Sequence, residues 1–137
     1  MHVHILGIGG TFMAGVAVIA QQSGFTVSRT DESLYPPMSD VLADAGIAVT
    51  EGYANFSAAG GAGIDEFIIG NVLSRGNPAV EAVLNSGIPY FSGPEWLAQR
   101  VLNTRHVIAV AGTHGKTSTT AIVAWILECA GLNPGYL

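Results

Sequence analysis

Short apolar runs that alternate with longer helical patterns predict an α/β protein built on a parallel sheet. Two of these runs pass directly into glycine turns that open helical segments, at residues 7–12 and 112–117. The composition is that of a folded chain, because 49% of the 137 residues are hydrophobic and only 11% are charged. Disorder requires the opposite bias, so the sequence predicts an ordered α/β protein.

The elements follow in order from this alternation. The predicted strands are the short apolar runs, at residues 2–8, 25–29, 47–50, 66–69, 89–91 and 106–111. The predicted helices are the longer segments, at residues 13–22, 39–45, 77–87, 94–102 and 118–129. A loop of small residues at 58–63 separates the third strand from the fourth.

Local signals justify the ends of these elements. A glycine marks the end of each of the first three helices, at positions 24, 46 and 87, where glycine commonly ends a helix. Ser39 is expected to cap the second helix, and Asn77 with Pro78 to open the third. The prolines at 36 and 37 exclude a helix interior or a central strand. A polar link around 102–106 predicts two domains, residues 1–103 and 104–137.

The balance of charge argues against several classes of partner. The formal net charge is −5 and the five basic residues are scattered, so neutralisation of a nucleic-acid backbone is not expected. No apolar run approaches the roughly 20 residues of a membrane span. The chain begins without the basic segment of a signal peptide, and its single cysteine, Cys129, excludes a disulfide framework. We therefore expect a cytoplasmic protein with neither a nucleic-acid nor a membrane partner.

The second glycine turn is the stronger functional signal. In a turn between a strand and a helix, backbone N–H groups and the helix dipole surround a phosphate. Lys116, the only lysine of the chain, would reach the β- and γ-phosphates, and the Thr117 hydroxyl would bind Mg²⁺. The phosphate loop is a shortened form, because Val110 stands where the standard motif has its first glycine. The predicted ATP-binding residues are Gly112, Thr113, His114, Gly115, Lys116, Thr117 and Ser118.

The first glycine turn indicates a second phosphate site. Gly7 and Gly9 fit the start of a dinucleotide fingerprint, but Phe12 stands where its third glycine belongs, so close packing there must be achieved differently. Asp31 follows Gly9 by 22 positions, where an acidic residue holds a ribose hydroxyl in Rossmann-like folds. Asp31 could equally be a turn or cap residue. Alone this turn suggests NAD, but the second, ATP-type turn disfavours a simple dehydrogenase.

Together the two turns and their flanking segments resemble the Mur ligase family, whose members use ATP to join an amino acid or peptide to a UDP-linked muramic acid. The His114 form of the second turn is similar to the branch that acts on UDP-N-acetylmuramate. One member of that branch adds L-alanine, and another adds the tripeptide L-alanyl-γ-D-glutamyl-meso-diaminopimelate. Phe12 departs from the alanine-adding member, which usually has glycine there. The segments similar to the tripeptide-adding member are 9–13, 35–39, 70–71, 75–78 and 92–97.

The resemblance implies roles for the matching positions. The diphosphate of the UDP-sugar would lie against the first turn and the start of its helix, at Gly7, Gly9, Gly10, Thr11, Phe12 and Met13. Asp31 would face the uridine. Further contacts to the nucleotide sugar would come from Asn71, Ser74, Arg75 and Asn77, although Asn71 could be a turn residue and Arg75 a surface charge. Catalysis through an acyl phosphate would involve Lys116 and His114; His114 could instead be a solvated turn residue.

The sequence also implies that part of such an enzyme is missing. Glu128 is the sole carboxylate after Thr117, so no strand-end aspartate remains to complete the Mg²⁺ site. We therefore expect an N-terminal fragment, inactive by itself: a Rossmann-like UDP-sugar domain followed by the first strand, phosphate loop and helix of an ATPase domain. The remaining domains of the ligase chain would be its partner. Two alternatives stay open, a non-catalytic nucleotide-sugar-binding module and an NAD-dependent oxidoreductase.

Overall fold

A computed structural model of the chain describes residues 1–32, 36–46, 50–53, 56–57 and 63–137. These residues form two compact units, Met1–Thr104 and Arg105–Leu137. The strands of the first unit are β1 (His2–Leu6), β2 (Thr26–Asp31), β3 (Thr50–Glu51), β4 (Glu66–Ile69) and β5 (Tyr90–Ser92). Its helices are α1 (Thr11–Gln22), α2 (Met38–Asp44), α3 (Pro78–Ser86) and α4 (Gly93–Arg100), followed by a 3₁₀ turn at Leu102–Thr104. The second unit contains α5 (Lys116–Cys129).

The sheet of the first unit is five-stranded and parallel, in the order β3-β2-β1-β4-β5. The chain therefore starts at the centre, winds outward through β2 and β3, and then crosses to the other side of β1 for β4 and β5. This confirms the predicted α/β fold with a parallel sheet. In such a doubly wound sheet, ligands bind outside the carboxyl ends of the strands at the point where the winding reverses. Here that point lies between β1 and β4.

A hydrophobic core covers each face of the sheet, because alternate residues of the central strands point to opposite sides. On one face Val3 and Ile5 of β1 pack with α1 and with Trp96 of α4. On the other face Leu6 and Phe67 pack with Ala79 and Val83 of α3. The carboxyl edge of the sheet is thereby held rigidly between helices that begin at that same edge.

Several element boundaries match the sequence signals. Asn77 caps α3 through its Oδ1, which accepts the Ala79 N–H at 2.9 Å, and Pro78 is the first helical residue, as predicted. Gly87 ends that helix with φ of +72°, a left-handed conformation that favours glycine. The strand predicted at 66–69 coincides with β4.

Two expectations about elements are wrong. Ser39 does not cap α2, because the helix already begins at Met38; its hydroxyl lies 3.1 Å from Oδ1 of Asp40 instead. Residues 106–111 form no strand, since no neighbouring segment of the described second unit pairs with their backbone. The unit that contains the second glycine turn is therefore a loop and helix without a sheet.

Parts of other predictions fall on residues that the structure does not describe. Of the strand expected at 47–50 only Thr50 is described, as the first residue of β3. Of the small-residue loop at 58–63 only Gly63 is described. Among the helices that the structure does describe, none has the length and apolar character needed to traverse a bilayer.

Candidate functional site

The turn after β1 leads into the N-terminus of α1. Gly7 has φ of +75°, and its N–H donates to the Thr30 carbonyl at 3.0 Å, which fixes the turn to β2. Within the described residues no side chain caps α1, whose N-cap is Gly10 in an extended conformation. The first-turn N–H groups of a helix have no acceptor inside it. The start of α1 is therefore suited to an anion such as a diphosphate.

Gly70 brings the carboxyl ends of β1 and β4 together. Its N–H donates to the Leu6 carbonyl at 2.8 Å. A Cβ atom at this position would collide with the carbonyl oxygen of Gly7. The loop after β4 thus lies directly against the glycine turn, at the reversal point of the sheet.

Gly93 explains how Phe12 is accommodated in place of a third turn glycine. A Cβ on Gly93 would lie 2.7 Å from the sulfur of Met13 and 2.9 Å from Cε1 of Phe12. The start of α4 therefore contacts the start of α1 closely, and the small residue that permits this contact is on α4. Sequence reasoning missed this role of Gly93, because Gly93 and Phe12 are 81 positions apart in the chain.

Asp31 holds the glycine turn in place. Its Oδ2 accepts the Gly9 N–H at 2.6 Å and its Oδ1 accepts the Glu32 N–H at 2.7 Å. The side chain is buried at the end of β2, next to Tyr53. Burial, together with the negative charges of Asp31 and Glu32, raises the pKa of Tyr53 to about 12. A direct contact between Asp31 and a uridine stays a prediction; the observed contacts assign this carboxylate to the shape of the turn.

A pocket of about 410 Å³ adjoins the turn through Gly70. Its apolar wall comes from β4, the loop after β4, α3 and β5, with Ile69, Leu73, Val80, Leu84 and Phe91. Its polar lining residues are Asn71, Ser74, Arg75, Tyr90 and Ser92. Three of the residues predicted after the fourth strand, Asn71, Ser74 and Arg75, are thus brought together around one pocket.

The pocket also contains groups that sequence reasoning did not single out. Tyr90 and Ser92 are the first and last residues of β5, and they line the pocket from the strand next to β4. Ser92 could have been found by position, because it is at the carboxyl end of β5 and the carboxyl ends of parallel strands meet at one edge of a sheet. Tyr90 is at the amino end of β5, and only the pairing of β5 with β4 brings it to the pocket. Asn77 does not line the pocket, and its Oδ1 is committed to the cap of α3. Its contact with a nucleotide sugar stays a prediction.

The second glycine turn forms the start of α5. Gly115 is the N-cap with φ of +75°, and in the fully described unit 105–137 no side chain caps the helix. Nζ of Lys116 donates to the Gly112 carbonyl at 2.9 Å, so the lysine bends back over the loop. Nδ1 of His114 lies 3.2 Å from Oγ1 of Thr113. The loop is exposed to solvent.

These donors fit the phosphates of ATP, because uncapped helix N–H groups and an ammonium group are both directed at the loop. The fit to Mg²⁺ is partial. Thr117 supplies one hydroxyl, but no cluster of three or more His, Cys, Asp or Glu side chains occurs in the described ranges. Lys116 and the loop N–H groups would hold the nucleotide, and Thr117 would be one ligand of the ion.

The family model described as "Mur ligase family, catalytic domain" matches residues 2–105. The chain therefore belongs to the Mur ligase family, which confirms the resemblance seen in the sequence.

Individual relatives refine this assignment. The UDP-N-acetylmuramate–L-alanyl-γ-D-glutamyl-meso-2,6-diaminoheptandioate ligase of Escherichia coli is 51% identical over 137 residues, which is 100% of this chain and 30% of that protein. The crystal structure of the corresponding ligase from Neisseria meningitides superposes with a TM-score of 0.90 at 54% identity, covering 99% of this chain and 42% of that one.

A UDP-N-acetylmuramate–L-alanine ligase from Agathobacter rectalis is 38% identical over 98% of this chain and 28% of its own length. The chain thus spans 28% to 30% of the length of these curated relatives.

Proposed function

We propose that this chain is the nucleotide-sugar-binding part, together with the opening of the ATP-binding part, of a ligase that joins UDP-N-acetylmuramate to L-alanyl-γ-D-glutamyl-meso-diaminopimelate. The observation that carries the proposal is the difference in identity between the two kinds of relative. Across almost the whole chain, identity is 51% to the tripeptide ligase of E. coli and 38% to an L-alanine ligase. In this proposal residues 1–103 bind the UDP-sugar and residues 104–137 begin the ATP-binding domain.

The first unit would bind the UDP-sugar at the reversal point of its sheet. The N–H groups at the start of α1, from Thr11 to Met13, support a diphosphate site because the helix is uncapped there. Gly9 is held in position by Asp31. The pocket beside Gly70 supports the placement of the remaining part of the ligand, with Asn71, Ser74 and Arg75 as its polar contacts.

The second unit would bind ATP through its phosphate loop. ATP, when bound, supplies the phosphoryl group that activates the muramoyl carboxylate for attack by the peptide amine. Lys116 would neutralise charge that develops on the phosphoryl oxygens, which is the main source of stabilisation in phosphoryl transfer. Lys116 now bonds the Gly112 carbonyl at 2.9 Å and would exchange this acceptor for a phosphate oxygen. The His114 ring would be a second polar group beside the transferred phosphate.

Isothermal titration of the 137-residue chain tests the binding part of the proposal. We expect UDP-N-acetylmuramate to bind one site in the first unit, and ATP with Mg²⁺ to bind a separate site that is lost in Lys116→Ala. Tight binding of NAD without any response to the UDP-sugar would overturn the proposal in favour of an oxidoreductase. Binding of the UDP-sugar with no response to ATP would favour a nucleotide-sugar-binding module.

The choice of amine needs a catalytic assay of the full-length protein. Phosphate release from ATP with UDP-N-acetylmuramate should be stimulated by the tripeptide and weakly by L-alanine. The reverse preference would identify an L-alanine ligase, like the relatives that are 37% to 38% identical.

A further inference from the structure

Arg75 is held at the edge of the pocket by one carboxylate of α3. Glu81, in the first turns of that helix, accepts from Nε of Arg75 at 2.8 Å through its Oε1. The same Oε1 accepts the Gly76 N–H at 3.0 Å, while Oε2 receives a longer contact of 3.3 Å from Nη2 of Arg75. A single carboxylate oxygen therefore fixes both the backbone of the loop and the arginine side chain.

The loop is shaped so that these donors converge. Gly76 has φ of +92°, a left-handed conformation that turns the chain back toward α3. The Asn77 N–H closes the turn on the Ser74 carbonyl at 3.2 Å, and the Glu81 N–H bonds the Asn77 carbonyl at 3.0 Å. The Gly76 N–H and then the Arg75 guanidinium lower the pKa of Glu81, so its carboxyl group is ionised at neutral pH.

As a contribution to stability this ion pair is small, because the Arg75 side chain is 79% exposed and Glu81 is 35% exposed. The ion pair has a second effect, because it restricts the conformations of the Arg75 side chain. An arginine without a partner samples many rotamers, and ordering it on binding costs affinity. Glu81 leaves Nη1 of Arg75 without a protein partner among the described residues, and Arg75 lines the pocket with Asn71 and Ser74.

We propose that Glu81 is a positioning residue, which holds the Arg75 guanidinium over the pocket so that it can bind an anionic group of the nucleotide sugar. This inference rests on the proposed function. The anionic oxygens could belong to the diphosphate or to the muramoyl carboxylate, and both chemistries suit a guanidinium.

Two opposite effects of Glu81 can be separated by substitution. If its charge mattered most, it would compete with the ligand for Arg75, and both Glu81→Ala and Glu81→Gln would tighten binding. If its geometry matters most, Glu81→Ala weakens binding, whereas Glu81→Gln retains it, because one amide oxygen can still accept from Arg75 Nε and Gly76 N–H as Oε1 does.

Titration of UDP-N-acetylmuramate into the 137-residue chain tests this directly. We expect Kd to rise roughly 5-fold in Glu81→Ala, roughly 10-fold or more in Arg75→Ala, and by less than about 2-fold in Glu81→Gln. The double variant should match Arg75→Ala, because Glu81 acts through the arginine. Glu95→Ala is the matched control, since Glu95 lies in the first turn of α4 and does not line the pocket.

Parallel titration with UDP-N-acetylglucosamine, which has the diphosphate but no lactyl carboxylate, identifies the anionic group. If Arg75→Ala weakens the binding of both ligands, Arg75 binds the diphosphate. If it weakens the binding of UDP-N-acetylmuramate alone, Arg75 binds the carboxylate. The inference is overturned if Glu81→Ala binds as tightly as wild type or more tightly, or if its loss persists undiminished in the Arg75→Ala background. If the wild-type chain binds no UDP-sugar, the proposed function fails first and the inference with it.

Discussion

Gly70 lies where two strand ends approach each other more closely than a side chain allows. Because a Cβ there would meet the Gly7 carbonyl oxygen, which belongs to backbone, the clash cannot be relieved by rotating a side chain. We expect Gly70→Ala to lower the free energy of unfolding by about 2–4 kcal/mol, measured by urea denaturation.

The matched control is Gly10→Ala. Gly10 has extended backbone angles, and a Cβ there would meet nothing within 4 Å. Gly10→Ala should lower the free energy of unfolding by about 1 kcal/mol or less, the range for a substitution at a helix N-cap. Equal losses in the two variants would contradict the steric explanation.

His4 makes the stability of the first unit depend on pH. Its Nδ1 lies 2.7 Å from Oγ of Ser28 and its Nε2 lies 3.2 Å from Oγ1 of Thr30, inside the core between β1 and β2. Burial, and then the charges of His2 and Arg29, lower the pKa of His4 to about 4. In the unfolded chain its pKa is about 6.5, so between these values only the unfolded state binds the proton.

The sign of the pH effect follows from this difference. The folded-state pKa is depressed, so stability is greatest above pH 6.5 and decreases as the pH falls toward 4. We expect the free energy of unfolding to fall by about 2 kcal/mol between pH 7 and pH 5 because of this residue. Urea titrations of wild type and His4→Asn at the two pH values should show a smaller fall in the variant. An unchanged pH dependence would exclude His4 as its origin.

At the scale of elements, α4 is attached to the sheet by one buried carboxylate. Glu66, the first residue of β4, accepts from Trp96 Nε1 at 2.9 Å and from Arg100 Nε at 3.2 Å, with Arg100 Nη2 as a further donor. The Glu66 side chain is only 3% exposed. Removal of this carboxylate leaves the buried Trp96 Nε1–H without an acceptor, which costs more than loss of an exposed pair.

We therefore expect Glu66→Ala to lower the free energy of unfolding by about 3 kcal/mol. Loss of the exposed Arg75–Glu81 pair in Glu81→Ala should cost much less than loss of Glu66, because solvent screens an exposed pair. Thermal or urea denaturation followed by the fluorescence of Trp96 and Trp125 measures both variants. Similar losses for the two substitutions would show that burial does not govern the strength of these pairs.

Elements and contacts differ in how far the sequence predicts them. The ends of α3 were predictable because Asn77, Pro78 and Gly87 act on neighbouring backbone groups. The absence of the strand expected at 106–111 was not predictable, because strand formation depends on a pairing partner that the local sequence does not specify. The contact of Gly93 with Met13 and the bond from Trp96 to Glu66 join distant positions, so a single sequence carries no local signal for them.

In the candidate site too, local segments were predictable from the sequence and contacts between distant segments were not. The glycine turns and the cluster of Asn71, Ser74 and Arg75 follow from motif and resemblance, since each is a short continuous segment. Tyr90 and Ser92 enter the pocket only because β5 pairs with β4. The hydrogen bond from Arg75 to Glu81 lies beside the left-handed Gly76, whose conformation the sequence does not reveal.

At the scale of the whole molecule, α5 presents apolar side chains to solvent. Ile122, Trp125 and Ile126 are 59%, 70% and 58% exposed and lie on one face, at spacings of three and four residues. Exposed apolar faces of this kind promote association. We expect the chain to self-associate with rising concentration, as light scattering at several concentrations would show.

Trp125→Ser should shift this association to higher concentration. Tyr136→Ser is the control, because Tyr136 is equally exposed, at 73%, but lies outside α5. Association that is unaffected by Trp125→Ser, or reduced equally by both substitutions, would show that the face of α5 is not responsible.

The position of the sheet's reversal point also has a consequence for folding. The two halves of the pocket region, the turn at Gly7 and the loop at Gly70, are separated by about 60 residues of chain and meet only when β1 pairs with β4. Pairings of such long range are slow to form, so a chain with only β1, β2 and α1 assembled would have no complete site. A ligand of this site would therefore bind only molecules in which β1 and β4 have paired, and the number of ligand sites per chain, measured by titration, would report how much of a preparation has reached the native strand order.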